Sequence, residues 1–419
     1  MRLRYGVPAG LLDAGLASLA TLGVGIYAAR SLSTTELGTY ALFFSAFTIA
    51  AVLPAQLILV PAEVASLRDV PDQRFGVLRQ GWRLGLPAAL ASATAASAAA
   101  CLAARAPVEV LWPLAVTTTA CSVASPLQDH VRRSLHMAGE HWRAATISLV
   151  QLCAIVVALA LFELAGVGAV WRPFGALTLA NLVSLSAGYA LSRRELRTVA
   201  TPGYRVARLA RSGRWLLLVE AATSGAVFVS SAIVTRLAGP EALGYAESAR
   251  IVAQPLYVLS VGVSAALWPR SMQAAAGRDR EAARRIARVS AAIVVVGGLL
   301  YGAATITPWW GNPLGALIPQ AYVIGGLVPL SVLAFILIGV AFPPRAELVG
   351  AGQERALTRL ALLAGVLQCA AAVAAVWIGA FARPLGVVIF AIVLLLGCWR
   401  QRRALYEGAV SAPAAGSRP

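Results

Sequence analysis

Arg250 lies inside an apolar stretch, with Glu247 three residues before it and Pro255 five after. At 1.5 Å per residue it sits about 8 Å inside a run that begins near residue 245. A charge so placed is costly unless it faces water, an anion or a carboxylate, and a guanidinium is suited to holding phosphate oxygens bidentately. Pairing with Glu247 one turn earlier, or snorkelling to headgroups, is the structural alternative. Asp13 and Glu220 fall near the same ends of two other apolar runs, where each can bind a proton, a sodium ion or a partner arginine; with Glu247 they are the candidates for coupling or gating. Gln56 and Asn181 are polar groups within apolar runs, suited to sugar hydroxyls or to hydrogen bonds between helices. Glu63, just past Pro61, reads as a solvated helix end. His130, His136 and His141 have spacings that do not put two of them on one helical face, so no metal site is expected. The five cysteines lack a C-x-x-C spacing and read as small packing residues.

The elements that must position these groups are membrane helices. Of 419 residues 59% are hydrophobic and 13% charged, against about 25% charged in ordinary soluble domains. Apolar runs of about 17 to 25 residues recur twelve times, each long enough to cross about 30 Å of hydrocarbon as a helix. The first covers roughly residues 9–29 and the last roughly 384–399. The formal charge of +17 comes from 35 basic residues, all arginine. No nucleic-acid-reading motif accompanies them, and topology explains them better. Every second connection is arginine-rich, including Arg345 among its residues. The intervening connections carry only Arg30, Arg105, Arg172, Arg236 and Arg383, and Arg250 alone falls within a span. By the positive-inside rule this predicts an inner-membrane protein with both termini cytoplasmic. The outer connections are expected to be no longer than about ten residues.

The chain divides near its midpoint. The expected organisation is a six-helix lobe over 1–197, a cytoplasmic basic amphipathic linker at 198–214, a second six-helix lobe over 215–405 and a disordered tail at 406–419. In the linker, Arg205, Arg208 and Arg211 recur every third residue beside Val206 and Leu209, which reads as a helix lying on the anionic leaflet. The turn from Ala29 to Gly38 resembles that from Thr235 to Gly244 at one constant offset: Arg30 matches Arg236, Leu37 matches Leu243 and Gly38 matches Gly244. Six helices return the chain to the same side, so the repeats run parallel and flank a cavity. Kinks are expected at Pro54, Pro61, Pro87, Pro255 and Pro329.

The stretch from Gly244 to Pro269 resembles the eighth helix of lipid-linked sugar flippases of the MOP exporter superfamily, in the Wzx-like polysaccharide branch. It shares a Tyr-Ala pair, here Tyr245-Ala246, an arginine at Arg250, the proline five residues on at Pro255 and a terminal proline at Pro269. The preceding Leu237-Ala238-Gly239-Pro240-Glu241 and the segment from Ser31 to Tyr40 resemble that family's turn. The resemblance implies two six-helix bundles in a V, moving a polyprenyl-pyrophosphate-linked oligosaccharide between leaflets, with Arg250 against the pyrophosphate and Gln56 and Asn181 in the cavity. It also implies polysaccharide polymerases and glycosyltransferases as partners. The lipid II branch carries further arginines in its first two helices, and here those spans hold none before Arg30. No cofactor, catalytic residue or nucleic-acid partner is expected, and no G-x-x-x-x-G-K-[ST] loop is present to use ATP. Two other readings remain: a multidrug/cation antiporter of the same superfamily, and a polytopic glycosyltransferase or polymerase acting on the lipid-linked glycan.

Overall fold

The computed structural model describes residues 3–66, 75–199 and 203–407. It is all-helical, with twelve long helices: α1 Leu3–Ser31, α2 Thr34–Ser66, α3 Gly76–Ala103, α4 Val108–Met137, α5 His141–Leu164 and α6 Arg172–Leu191. Then follow α7 Val206–Leu237, α8 Pro240–Ala276, α9 Arg280–Ile306, α10 Leu327–Gly350, α11 Glu354–Ala374 and α12 Ala382–Glu407. All twelve are long and apolar enough to span a membrane, with α8 counted as one bent span. Odd-numbered helices finish at the arginine-poor end and even-numbered ones at the arginine-rich end.

Local chemistry sets where the chain turns. Ser33 caps α2 in a reciprocal box: the Glu36 amide donates to Ser33 Oγ at 3.4 Å and the Ser33 amide to Glu36 Oε2 at 2.8 Å. The equivalent helix of the second half, α8, begins with Pro240 in its first turn, where the missing N–H costs nothing. Asp279 caps α9 by accepting from the Ala282 amide at 2.9 Å.

The packing repeats. In the first half α1 packs on α5, α5 on α6, α2 on α3 and α4, and α4 on α6; the second half repeats each pairing six helices later, α7 on α11 through α10 on α12. The halves join through α2 and α8, with α2 also crossing α7 and α8 crossing α1. At the arginine-poor end of this junction the repeat meets itself. Thr35 Oγ1 donates to Glu241 Oε1 at 2.7 Å, 206 residues apart. Gly38 and Gly244, separated by the same interval, let the first turns of α2 and α8 touch backbone to backbone: a Cβ on Gly38 would overlap the Pro240 carbonyl, and one on Gly244 the Thr34 carbonyl.

Four expectations are corrected. The marked bend of α8, 48°, falls between Ser264 and Leu267 rather than at Pro255. Pro269 explains it, because a proline ring clashes with the carbonyl four residues back. The basic stretch from Arg205 to Arg214 is not a separate surface helix. Residues from Val206 onward are the first turns of α7, with Leu209 and Gly213 buried against α2 while Arg208, Arg211 and Arg214 stay exposed. Connections at the arginine-poor end are not all short. Residues 307–326 join α9 to α10 and contain the helix Leu314–Leu317. Finally, α10 runs straight through Pro343 and Pro344, so Arg345 is helical rather than in a loop. Residues 200–202 of the expected linker and 408–419 of the expected tail lie outside the described residues.

In α2 the turn Ala55–Leu59 widens into a π-helix. Pro61 lacks the N–H that would serve the Leu57 carbonyl, and a π-turn accommodates such a gap. Gly213 of α7 sits directly against the Gln56 and Leu57 carbonyls, where any side chain would collide.

Candidate functional site

A cavity of about 580 Å³ lies within the second half rather than between the halves as expected, walled by α7, α8, α10 and α12 and closed on one side by Phe44, Ser45 and Thr48 of α2. It runs from Arg250 and Arg383 in the arginine-poor half to Glu220, Trp268 and Arg345 in the arginine-rich half. Arg250 to Trp268 corresponds to about 27 Å of helix. Its walls are largely apolar and aromatic, with Tyr257, Phe335, Phe342 and Phe390 among them, and hydroxyls from Thr223, Ser224, Ser264 and Ser331 break that surface.

The cationic pole of the cavity is a three-residue cluster. Glu247 is completely buried and accepts from Arg250 Nη2 at 2.6 Å and Nε at 2.8 Å. Arg383 Nη1 donates at 2.7 Å to Oε2 of the same carboxylate, the oxygen that also accepts from Arg250 Nε. Arg250 also reaches Gln254 Oε1 at 3.3 Å and lies over the Phe44 ring, 4.9 Å from its centroid. Two guanidinium groups therefore share one carboxylate, which leaves the cluster one positive charge in surplus. Arg250 keeps 20% of its side chain exposed and Arg383 only 6%. Arg250 is thus both paired with Glu247 and open to the cavity, which unites the two readings its sequence position allowed.

Arg383 was expected in a connection on the far side of the membrane from the arginine-rich loops. It stands instead in the first turn of α12, turned inward onto Glu247. Its signal in the sequence was isolation: no other charge lies between Arg359 and Arg400. Arg345 is likewise a wall residue of the cavity, with Nη2 at 3.4 Å from Glu220 Oε1. Glu220 keeps 39% of its side chain exposed there.

Other predicted residues go elsewhere. Gln56 sits in the π-turn, its carbonyl against Gly213, and is not among the wall residues. Asn181 is buried inside the first bundle, accepting from Gln151 Nε2 at 2.7 Å, and also stays away from the cavity. Asp13 and Glu220 do not share an environment. Asp13 is 5% exposed within the first bundle and holds His136 Nε2 at 2.8 Å and the Ser148 hydroxyl at 2.5 Å. The tight turn between α4 and α5 brings His136 Nδ1 to 3.0 Å from His141 Nδ1, a meeting that helical spacing alone did not anticipate. Among the described residues no three metal-ligating side chains converge. Glu63 is not solvated: it is fully buried, with His130 Nδ1 at 2.6 Å and Arg133 Nε at 2.9 Å. Arg30 donates to the carbonyls of Gly315 and Ala316 at 3.1 and 3.0 Å, pinning the 307–326 connection, while its repeat mate Arg236 is exposed.

The two ends of the bundle pair differ. The arginine-poor end is shut by the Gly38 and Gly244 contact, by Thr35 with Glu241, and by Tyr322 Oη donating to the Leu32 carbonyl at 2.5 Å. Next along α1, Gly25 touches Ile251 of α8 and Thr21 Oγ1 accepts from Gln254 Nε2 at 3.4 Å. Gly10 and Gly15 of α1 and Gly262 of α8 face open space.

No protein-family model matches the chain, and no curated protein matches it. Solved structures do. One, described as the inward-facing conformation of a multidrug resistance MATE family transporter of the MOP superfamily, superposes with a TM-score of 0.75 at 19% identity, over 94% of this chain and 96% of that one. The outward-facing conformation of a transporter described in the same terms gives 0.67 at 17%, over 98% and 96%. A MOP superfamily transporter from Pyrococcus furiosus, described as having a binding pocket of reverse polarity that suggests a different function, gives 0.63 at 16%, over 96% of each chain. This chain shares the fold of these structures.

Proposed function

We propose that the chain is an alternating-access flippase that carries a polyprenyl-pyrophosphate-linked oligosaccharide from the cytoplasmic to the outer leaflet for cell-surface polysaccharide synthesis. The carrying observation is the surplus cation at the closed pole of a largely apolar cavity: Arg250 and Arg383 around Glu247, with Glu220 and Arg345 paired at the other end. A pyrophosphate drawn to that pole replaces water with guanidinium donors, while the prenyl chain remains in the bilayer. The positive-inside rule puts the arginine-rich end in the cytoplasm, so the described state is loaded from the inner leaflet. The reading needs no bond-making step, and the sugar transferases and polymerase that supply and consume the glycan are its expected partners. The reversed pocket polarity described for the Pyrococcus furiosus protein supports the idea that this fold accommodates cargo of either charge.

Glu220 favours a second reading, a multidrug/cation antiporter like those whose structures superpose on this one. It is a partly exposed carboxylate on the cavity wall, able to hold a cation. Deleting the gene and analysing membrane lipids separates the two. The flippase reading predicts accumulation of oligosaccharide on polyprenyl pyrophosphate in the cytoplasmic leaflet. Unchanged lipid-linked glycan together with sensitisation to cationic drugs overturns it.

A further inference from the structure

A second cavity, of about 390 Å³, opens at the arginine-rich end between α9 and α12 and shares no wall residue with the first. Its walls are Arg280 and Arg284 of α9 with Trp399, Arg402, Arg403, Tyr406 and Glu407 of α12. We propose that it binds the phosphate headgroup of an anionic phospholipid, whose acyl chains lie along the apolar faces of α9 and α12.

The floor of this pocket is built rather than incidental. Glu347 of α10 is fully buried and fixes two wall residues, accepting from Arg402 Nε at 2.7 Å and from Tyr406 Oη at 3.1 Å. Arg402 Nη2 and Glu347 Oε1 are each buried without a hydrogen-bond partner among the described residues, a donor and an acceptor left over at the pocket floor. Arg284 and Arg403 stand exposed at the rim. The four guanidinium groups face three carboxylates. Glu347 is committed to the floor, Asp279 caps α9 through the Ala282 amide, and Glu407 lies on the rim.

The surroundings distinguish a lipid from a free anion. Trp399 is 47% exposed beside the arginines, at the depth where indole rings favour the membrane boundary. Beyond the pocket Val289, Ile293 and Val296 of α9 and Ile392 and Leu396 of α12 are all exposed. Both helices pack on α10, which leaves an apolar groove running from the basic pocket toward the bilayer centre. Basic pockets between membrane helices are known headgroup sites for this reason: each arginine near the surface contributes about 1 kcal/mol, or about fivefold in affinity.

The test uses the full-length protein in detergent, titrated with dioleoyl phosphatidylglycerol, dioleoyl phosphatidylcholine or inorganic phosphate and followed by native mass spectrometry. Phosphatidylglycerol is expected to bind in preference to phosphatidylcholine. The rim variant R284Q/R403Q, which leaves the Glu347 floor intact, is expected to lose about fivefold to twenty-five-fold of that binding. A brominated phosphatidylglycerol is expected to quench tryptophan emission in the wild type and less in Trp399→Phe. Equal retention of phosphatidylglycerol by wild type and R284Q/R403Q overturns the site. Competition by millimolar inorganic phosphate, with no quenching difference at Trp399, overturns the lipid assignment in favour of a free anion.

Discussion

Arg383 Nη1 lies 2.7 Å from Glu247 Oε2, so an arginine beginning the last helix shares with Arg250 the carboxylate of a glutamate in the eighth. The cluster makes one cationic surface from residues more than a hundred positions apart. Removing a partner from such a buried group has a cost distinct from removing a cargo contact, and the two are separable by experiment.

Arg250→Ala is expected to abolish export while leaving expression and insertion intact, and Arg250→Lys to retain part of it, because an ammonium keeps the charge but loses the bidentate fork. One charge-assisted hydrogen bond is worth about 1.5–3 kcal/mol, which corresponds to roughly a tenfold to hundredfold loss in cargo affinity. Full export by Arg250→Ala, measured as lipid-linked glycan reaching the outer leaflet, defeats the phosphate-binding role.

Glu247→Gln is expected to destabilise the protein more than Arg383→Gln does. It leaves two buried guanidinium groups facing each other, whereas the second change leaves an intact pair, and breaking a buried pair costs about 3–5 kcal/mol. Thermal unfolding in detergent reads the difference. Coupling between the sites appears as partial recovery in E247Q/R383L, since positions in contact are not additive. Equal melting temperatures for the two single variants contradict the shared-carboxylate arrangement.

Closure at the arginine-poor end is expected to depend on Gly38 and Gly244. Gly38→Val sets a side chain against the Pro240 carbonyl, so the two first turns must separate. Spin labels placed across this end are then expected to report a longer distance in Gly38→Val than in the wild type. An unchanged distance distribution rejects this contact as the closing element.

Asp13 and Glu220, similar by position, are expected to behave differently. Asp13→Asn weakens the contacts of a buried carboxylate with three partners, His136, Ser148 and Arg132, and so lowers thermal stability. Glu220→Gln removes a partly exposed group paired only at 3.4 Å, so stability holds while the pH or sodium dependence of export changes. Export of Glu220→Gln with an unaltered ion dependence removes it from coupling.

Hydropathy and arginine alternation in the chain revealed the twelve helices and the two-half plan, because both are averages over many residues. The single charges were harder. Arg345 follows Pro343 and Pro344, which look like the end of a span, but a membrane helix tolerates them where neighbouring helices enclose it. Arg383 was hidden because a span boundary drawn from hydropathy shifts by a turn, and one turn decides whether a side chain faces water or a neighbouring helix. Glu63 read as a helix end because its partners, His130 and Arg133, come from α4 and no local pattern announces them. Arg250 was legible because it lay well inside its span, beyond the reach of that boundary error.

The meeting of Thr35 with Glu241 has a consequence for how such a molecule arises. In a homodimer, a residue on the symmetry axis is forced against its own copy, so donor cannot face acceptor unless one side chain supplies both, and two carboxylates there would repel. Joining both copies in one polypeptide lifts that constraint, leaving each half free to specialise: one position became a hydroxyl, its twin a carboxylate. A latch of unlike partners is thus available to a fused gene and closed to its self-associating forerunner.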